Sequence, residues 1–423
     1  MFRHIIPVII FGVFLIGRAE TFFPSFATSS PEIATVYWTN GSDVVSLPVI
    51  SLDNIAPLTL HFDILDNEYS GRNTTPWLRA SIEHRDAEWQ AERIHQSQYV
   101  SGFNVADIGF GEPSAGGLTN LYTHYEFMFP NNNIIPKISG NYFLNIYEDA
   151  NPDSILLRVP FMVEENSVRI RGSVSPVTDF DYMDAHQQLE LTVDIQDLDP
   201  SIMPSDIRIL IGQNRTPGLW RFIGYPSSIN GPLLNYSHKP SLIFEAGNEF
   251  RRMEIVSNSI PMMNVDHIEW HDPYYHHILK TDHPRNSEKY IPDFSTHGSF
   301  IIKASDAIDS DIEADYAVTH FFLDGSQLAP GSEIYLHGDF IPSYPALNGL
   351  MEWDSDNNIY YKSILLKQGA YSYQYITPTS NTLYNVDGNF FQTFNIYDVG
   401  VYYRLPGEQF DRLASFNHIY SAH

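Results

Sequence analysis

A histidine-rich segment in the second half of the chain carries the residues most suggestive of metal chemistry. The chain of 423 residues has 17 histidines, and four of them fall between positions 267 and 277. His267 and His271 are four residues apart, a spacing that on a helix places both imidazoles on one face. The zinc-protease pattern, however, requires glutamate directly after the first histidine, where this chain has Ile268, and Pro273 would break the helix. We therefore interpret the segment as a polar, aromatic-rich surface loop, with a metal site as the alternative.

Two acidic segments have the oxygen ligands that calcium prefers. The first, residues 303–315, has carboxylates at Asp306, Asp309, Asp311, Glu313 and Asp315. The second starts at Asp354 like a calcium loop, but Ile359 replaces the required glycine and Leu365 stands where the bidentate glutamate belongs. We interpret both segments as solvated linkers and turns, with calcium binding as the alternative.

Other kinds of reactive site are excluded or unsupported. The chain has no cysteine, which excludes disulfides, thiol nucleophiles and Cys-ligated zinc or iron–sulfur sites. It contains no Gly-x-Ser-x-Gly elbow and no phosphate-binding glycine loop. Its 51 Asp and Glu residues leave a glycosidase-like pair open, but no motif selects one. We therefore expect a non-enzyme and assign no catalytic, cofactor-binding or metal-binding residue.

The charge and composition exclude two further classes. Only 24 Lys and Arg residues oppose 51 Asp and Glu, giving a formal charge of −27. Nucleic-acid binding through phosphates needs concentrated Lys and Arg, so we expect no nucleic-acid partner. With 43% hydrophobic and 14% aromatic residues, the chain also has too much core material for a disordered protein.

The aromatic residues suggest a different binding function. Six tryptophans are spread along the chain: Trp38, Trp77, Trp89, Trp220, Trp270 and Trp353. Exposed aromatic rings on a β-sandwich can stack on sugars, and residues 334–338, Trp353 and residues 371–375 resemble sandwich modules found beside polysaccharide enzymes. A periplasmic carbohydrate-binding protein is therefore the alternative function. We favour packing in cores and between domains for most of these tryptophans.

The first 19 residues have the layout of a secretory signal peptide. Arg3 and His4 precede an apolar run at residues 5–16, which is short for a membrane-spanning helix. Gly17 and Ala19 place small residues at the cleavage site. Removal of this segment would take the formal charge from −27 to −29, and no later segment is apolar and long enough to span a membrane. We expect a mature protein that is soluble in an exported compartment.

Period-2 alternation dominates the remaining sequence and predicts an all-β fold. The clearest case is Leu189 to Ile195, where apolar and polar residues alternate strictly. Further strands are predicted at residues 58–64, 142–147, 168–174, 207–211, 333–337, 360–366 and 371–376. Many short strands separated by Gly and Pro favour tandem antiparallel β-sandwiches of the Ig-like or E-set-like type.

Two Gly-x-Tyr segments predict tyrosine corners, a feature of Ig-like sandwiches in which a tyrosine hydroxyl bonds back to the backbone upstream. They begin at Gly140 and Gly369, and their tyrosines are Tyr142 and Tyr371. Two residues later, Leu144 and Tyr373 would occupy the core position that a disulfide cysteine fills in antibody domains. Ordinary edge strands after a turn are the alternative.

We predict three sandwich domains after the signal peptide at residues 1–19. They cover residues 20–165, 166–300 and 316–423, with residues 301–315 as an acidic linker before the last. The end of the chain, residues 407–423, has apolar residues at near-helical spacing and is expected to be a short docking helix or a frayed end.

Several segments in the same order resemble one family, the plug proteins of the type IX secretion system of Bacteroidota. The most specific are residues 122–130 (YTHYEFMFP) and 139–149 (SGNYFLNIYED). The others are residues 81–89, 97–103, 179–182 with 185–188, 244–250, 313–316 and 365–375. The likeness covers nearly the whole mature chain. Arg85 and Ala246 depart from it, standing where the family commonly has cysteine and glycine.

The resemblance implies a non-enzymatic periplasmic protein made of tandem β-sandwiches. Such a protein would act as a monomer within a hetero-complex at the inner face of the outer membrane. There it would bind the periplasmic mouth of the outer-membrane β-barrel translocon and seal the pore while no substrate passes. The resembling motifs look structural, so they assign no partner-binding residues.

Overall fold

Strands dominate the chain, as the alternation of apolar and polar residues predicts. In the computed structural model, the residues described are 25–66, 76–216, 218–294, 296–329, 331–342, 348–377 and 386–421. The predicted signal peptide lies outside these residues. All eight strands predicted from the sequence are present, with ends shifted by a few residues.

The first sandwich contains the first 13 strands and one short helix, α1 (Gln96–Tyr99). Its strands are β1 (Ala27–Thr28), β2 (Ile33–Asn40), β3 (Asp43–Val45), β4 (Val49–Ser51), β5 (Leu58–Leu65), β6 (Leu78–Arg85), β7 (Val100–Gly102), β8 (Ala106–Gly109), β9 (Glu112–Pro113), β10 (Tyr122–Phe129), β11 (Ile134–Pro136), β12 (Gly140–Glu148) and β13 (Ile155–Glu164). One sheet has the order β1-β13-β12-β6-β8, with β4 paired to β13, and the facing sheet has the order β3-β2-β5-β10-β9. Leu60, Phe62, Leu144 and Phe161 fill the core between the two sheets.

The second sandwich begins with β14 (Arg169–Ser175), β15 (His186–Asp194), β16 (Arg208–Gln213), β17 (Arg221–Ile223), β18 (Ser228–Asn230), β19 (Leu233–Tyr236) and β20 (Ile243–Glu245). Two 3₁₀ turns, at Pro204–Asp206 and Pro240–Leu242, interrupt this run. One sheet has the order β14-β15-β19-β18, with β20 paired to β15, and β17 and β16 start a second sheet.

The third sandwich follows before the second is complete. Its strands are β21 (Arg251–Glu254), β22 (Val265–His271), β23 (Tyr274–Leu279), β24 (Phe300–Ile302), β25 (Tyr316–Asp324), β26 (Tyr335–His337), β27 (Glu352–Asp354), β28 (Ile359–Lys367) and β29 (Gly369–Ile376), with the short helix α2 (Ser310–Glu313) between β24 and β25. One sheet has the order β22-β23-β25-β28-β27, and in the other β21, β24 and β26 all pair with β29.

The chain then returns to the second sandwich with β30 (Ile396–Tyr403) and β31 (Arg412–Tyr420). β30 pairs antiparallel with β16, so the sheet order is β17-β16-β30-β31. The core of this sandwich joins Leu191 and Ile209 to Val399 and Ile419 from the end of the chain. The third sandwich is therefore inserted between β20 and β30 of the second.

This arrangement corrects the predicted domain boundaries. Strands between residues 251 and 302 belong with those of residues 316–376, and the last two strands belong with residues 169–245. The predicted linker at residues 301–315 contains the end of β24 and helix α2, and the segment predicted as a helix or frayed end, residues 407–423, contains β31 (Arg412–Tyr420). Strands that are consecutive in sequence lie next to each other in a sheet in only about two-thirds of cases. Local sequence patterns do not show which distant strand completes a sheet.

Both predicted tyrosine corners are confirmed. The Tyr142 hydroxyl donates to the carbonyl of Ile138 at 2.8 Å, and the Tyr371 hydroxyl donates to the carbonyl of Lys367 at 2.6 Å. Leu144 and Tyr373 are buried in the cores of the first and third sandwiches. Gly140 has a φ of 135°, and a Cβ there would lie 2.4 Å from the His84 ring, so the corner requires glycine.

An apolar cluster joins the first and second sandwiches. Leu47, Ala87, Trp89 and Met162 of the first pack against Leu210, Trp220, Tyr402 and Leu413 of the second. The Tyr402 hydroxyl donates to Asn141 Oδ1 at 2.8 Å, and the Ala87 amide donates to the Asp411 carboxylate at 3.0 Å. These two hydrogen bonds fix the orientation of the first sandwich on the second, because movement of one sandwich against the other would leave buried polar groups unpaired.

Candidate functional site

A buried ion pair links the first sandwich to the third. Asp63 on β5 and Lys367 at the end of β28 are fully buried, and Lys367 Nζ lies 2.6 Å from Asp63 Oδ2. The ammonium also donates to the carbonyl of Asp311 at 2.6 Å and lies 4.1 Å from the centroid of the Tyr122 ring. Burial lowers the pKa of Lys367, although the Asp63 carboxylate opposes that shift.

The other contacts of Asp63 extend this link into a polar cluster. The Tyr316 hydroxyl of β25 donates to Asp63 Oδ2 at 2.6 Å, and His124 Nδ1 on β10 lies 2.7 Å from Asp63 Oδ1. Burial raises the pKa of Tyr316, so its hydroxyl remains a donor. The carboxylate thus has a partner on each oxygen, which offsets much of the cost of burying it.

Two imidazoles continue the cluster toward solvent. His124 Nε2 lies 3.3 Å from His61 Nδ1, and His61 Nε2 lies 2.9 Å from Thr39 Oγ1. The Tyr37 ring stacks on His61 with centroids 4.7 Å apart. Burial lowers the pKa of His61 to about 4, so this imidazole is neutral at pH 7.

Two carboxylates complete this group, Glu126 from β10 and Asp311 from helix α2. One ligand atom each of His61, His124, Glu126 and Asp311 lies within 4.8 Å of every other. The Tyr37 hydroxyl donates to Asp311 Oδ1 at 2.7 Å. Neutral imidazoles and carboxylates are the donor set of a divalent transition-metal site. The four residues are called the His–carboxylate cluster below.

Sequence reasoning identified Asp311 as a calcium candidate but did not find its three partners. They lie on β5 and β10, which are adjacent in the sheet but about 60 positions apart in sequence. A signal did exist: His61 and Asp63 alternate with Leu60, Phe62 and Ile64, and all five residues are buried. Both faces of β5 are therefore covered, one by its own core and the other by the third sandwich.

The predicted histidine segment forms a β-hairpin rather than a helix or an irregular loop. His267 and His271 lie on β22, where their exposed rings contact the carboxylates of Asp266 and Glu269. On the neighbouring strands, His276 Nδ1 lies 2.8 Å from His320 Nε2. The helical argument for a metal site does not apply to His267 and His271. On a strand the side-chain direction repeats every two residues, so these two histidines lie two repeats apart along the strand.

The carboxylates of the two calcium candidates are mostly used by local turns or by neighbouring strands. Asp354 accepts from the amides of Asp356 and Asn357, forming a turn between β27 and β28. Asp309 caps helix α2, and Asp315 accepts from the amide and hydroxyl of Thr119 in the first sandwich. The acidic segment thus ties two sandwiches together.

The tryptophans are divided between buried and exposed positions. Trp38, Trp89 and Trp220 are buried, and Trp353 packs against the core of the third sandwich beside Tyr360. Trp270 is half exposed, and its ring meets Tyr275 at 63°, so this pair does not offer a flat surface for a sugar ring. Trp77 is also partly exposed and meets Phe110 edge-on.

A loop between β14 and β15, called the aromatic loop (residues 176–183), projects apolar side chains into solvent. Phe180 is 76% exposed and Tyr182 is 72% exposed, with Val177 and Met183 also exposed. Its backbone is nevertheless held firmly. Thr178 bonds to Asp181, Asp181 accepts from the amide of Ala185, and Gln188 accepts from the amide of Asp179. An ordered loop with exposed aromatic residues is typical of a protein-binding surface.

Residues 81–89 and 244–250, which also carry the family resemblance, pack largely in the interior. In residues 81–89, the buried His84 ring contacts Glu92 at 2.5 Å and Trp89 lies in the apolar cluster between the first two sandwiches. Arg85 pairs with Glu83 and lies over the Phe143 ring. Ala246 is fully buried and its amide donates to the carbonyl of Ala185, so the two departures from the family pattern are accommodated.

Residues 33–165 match the family model described as Type 9 secretion system plug protein 1st domain. The chain belongs to the type IX secretion system plug family. The matched residues correspond to β2–β13, nearly the whole first sandwich. Family membership associates the chain with this secretion system and, together with the all-β fold, favours a protein without catalytic activity.

A solved structure of similar size extends the likeness beyond that domain. A hypothetical protein from Parabacteroides merdae is 31% identical, with a TM-score of 0.88 over 94% of this chain and all of its own. No curated protein matches this chain significantly. Within the residues described, no helix is both long and apolar enough to cross a membrane.

Proposed function

We propose that this protein is a non-enzymatic periplasmic plug of the type IX secretion system. It binds the periplasmic mouth of the outer-membrane β-barrel translocon and closes the pore when no substrate is passing. The observation that carries the proposal is the match of residues 33–165 to the plug-protein domain. The arrangement of the three sandwiches, the surface charge and the aromatic loop support it.

A plug must stay rigid against a wide opening, and the contacts between the sandwiches provide that rigidity. The first sandwich is joined to the second by an apolar cluster and to the third by the Asp63–Lys367 pair. Relative domain motion is the ordinary expectation when interfaces are small and polar. Here the contacts include fully buried charges and aromatic rings, so movement of one sandwich would expose or unpair them.

The charge of the chain suits a soluble protein that works beside anionic lipopolysaccharide. A formal charge of −27, or −29 after removal of the predicted signal peptide, disfavours adsorption to that surface. It also implies that the plug meets a comparatively basic rim on the barrel, since complementary charge accelerates encounter.

The aromatic loop is the contact surface that we assign to the barrel. Phe180 and Tyr182 offer large apolar areas on a backbone that is already ordered, so little conformational entropy is lost when they are covered. The same segment is one through which the sequence resembles plug proteins, and it places two aromatic side chains in solvent.

Deletion of the gene and complementation test this function. Loss of the plug should make the outer membrane permeable to large hydrophilic antibiotics, and the wild-type gene should restore the barrier. A Phe180→Ser/Tyr182→Ser variant should remain folded but fail to restore it. Ile308→Ser, which changes an even more exposed apolar residue on the third sandwich, serves as the control. Unchanged permeability in the deletion strain would contradict the plug function, whereas full rescue by the loop variant would contradict only the assigned surface.

A further inference from the structure

We propose that the His–carboxylate cluster is a zinc site that clamps the first sandwich to the third. Its ligands are His61, His124, Glu126 and Asp311. Three of them come from β5 and β10 of the first sandwich, and the fourth comes from helix α2 of the third. The inference concerns the stability of the chain itself and does not depend on the proposed closure of the translocon pore.

The distances between the ligand atoms fit a tetrahedral ion. Zinc binds nitrogen and oxygen at about 2.0–2.2 Å, so neighbouring ligand atoms in a tetrahedron lie about 3.3–3.5 Å apart. The two imidazole nitrogens are 3.3 Å apart, and Glu126 Oε1 lies 3.7 Å from His61 Nδ1 and 3.9 Å from His124 Nε2. All four ligand atoms lie within 4.8 Å of one another, so small movements of the two carboxylates would close the site.

The outer contacts of each ligand orient it for metal binding. His124 donates from Nδ1 to the Asp63 carboxylate at 2.7 Å, which directs the lone pair of Nε2 toward His61. His61 can donate from Nε2 to Thr39 Oγ1 at 2.9 Å, which leaves its Nδ1 free as a ligand. The Tyr37 hydroxyl donates to Asp311 at 2.7 Å. Carboxylate–histidine contacts of this kind fix the tautomer in established metal sites.

The two facing imidazole nitrogens, His61 Nδ1 and His124 Nε2, need either a proton or a metal ion between them. With Nδ1 of His124 protonated toward Asp63, its Nε2 is an acceptor. In the metal-free chain, a proton on His61 Nδ1 satisfies that acceptor. Zinc binding moves this proton to Nε2 of His61, where Thr39 accepts it, so the imidazole stays neutral and no proton is released.

The local charge favours a divalent cation. Asp63, Glu126 and Asp311 bring three carboxylates to the cluster, and Lys367 contributes one ammonium. The excess of two negative charges equals the charge of one zinc ion. Two imidazole ligands favour zinc over calcium or magnesium, which prefer oxygen ligands throughout. Glu126 is 60% exposed and provides a route of entry from solvent.

Zinc titration of the full mature chain tests the proposal. After removal of metal with a chelator, the wild type should bind one zinc ion per chain, measured by calorimetry and elemental analysis. Glu126→Gln and Asp311→Asn should each weaken the affinity at least tenfold. Glu126→Gln changes an exposed side chain, so its fold should be intact by circular dichroism. Glu112→Gln, an exposed carboxylate on β9 of the same sheet, is the matched control and should bind like the wild type.

Two further measurements separate this site from surface histidines. Cobalt(II) bound to the wild type should show the intense visible bands of tetrahedral coordination, and these should be lost in Asp311→Asn. A His267→Asn/His271→Asn variant should keep full affinity. Any of three results would overturn the proposal. They are no zinc binding by the folded wild type, wild-type affinity in both Glu126→Gln and Asp311→Asn, and loss of binding in the His267→Asn/His271→Asn variant.

Discussion

Substitution of Lys367 by methionine should destabilise the protein strongly. The change keeps most of the side-chain volume but removes the ammonium that lies 2.6 Å from the Asp63 carboxylate and 2.6 Å from the Asp311 carbonyl. Asp63 would then be a fully buried carboxylate held only by neutral donors and by His124. Breaking a buried pair in this way costs about 3–5 kcal/mol, a large part of the usual stability of about 5–15 kcal/mol.

The coupling between the two partners can be measured with a double-mutant cycle. Asp63→Asn alone should also cost several kcal/mol, because it leaves the Lys367 ammonium unpaired. The double variant should be more stable than the sum of the two single effects predicts, by at least about 2 kcal/mol, since no isolated charge remains. Lys303→Met, which removes an exposed lysine from the third sandwich, is the control. We expect it to change the free energy of unfolding by no more than about 0.5 kcal/mol.

The assay is urea unfolding in the presence of a chelator, so that the result does not depend on bound metal. Because the chain has three sandwiches, hydrogen exchange of amides in β5 and β28 should accompany the fluorescence curve and report the two sides of the pair separately. A Lys367→Met variant within about 1 kcal/mol of the wild type, or single effects that simply add, would refute the view that this pair holds the two sandwiches together.

Three further predictions concern the corners, pH and salt. Tyr142→Phe and Tyr371→Phe should each lose about 1 kcal/mol of unfolding free energy, because each leaves a buried carbonyl without its hydroxyl donor; no change in urea midpoint would count against the corner. Burial lowers the pKa of His277 to about 4 from 6.5, so between these pH values the unfolded chain binds more protons at this site. The contribution of His277 alone should lower stability by about 2 kcal/mol between pH 7 and pH 5, in addition to those of His61 and His337. His277→Gln should make the pH dependence of stability shallower by that amount, and an identical pH profile would exclude His277 as a contributor. Raising the salt concentration should slow association with the barrel more than it weakens the complex; association rates independent of ionic strength would contradict electrostatic steering.

Features set by short stretches of sequence were predictable. Alternation from Leu189 to Ile195 located β15, and the Gly-x-Tyr segments located both corners together with the core positions of Leu144 and Tyr373. These patterns work because side-chain direction alternates along a strand and because a corner depends on a few consecutive residues.

Features that depend on distant pairing were not predictable. The pairing of β30 with β16 joins residues almost 190 positions apart, and nothing local to either strand specifies it. The near-helical spacing of Phe410, Leu413 and Phe416 gave a wrong prediction, because β31 packs its two faces against different sandwiches and so has apolar residues on both.

The candidate site was found only in part for the same reason. Asp311 stood out in an acidic segment, but His61 and His124 are single histidines within apolar strands. Their importance becomes visible when β5, β10 and helix α2 meet at the contact between two sandwiches. The histidines that did stand out, at positions 267 and 271, are exposed on a hairpin.

The conductance of the purified translocon barrel in a planar bilayer tests the central claim most directly. We predict that the barrel alone conducts and that adding this protein to the periplasmic side closes it, whereas the Phe180→Ser/Tyr182→Ser variant closes it less well. A conductance that is unchanged by a saturating amount of the folded wild-type protein would contradict the account.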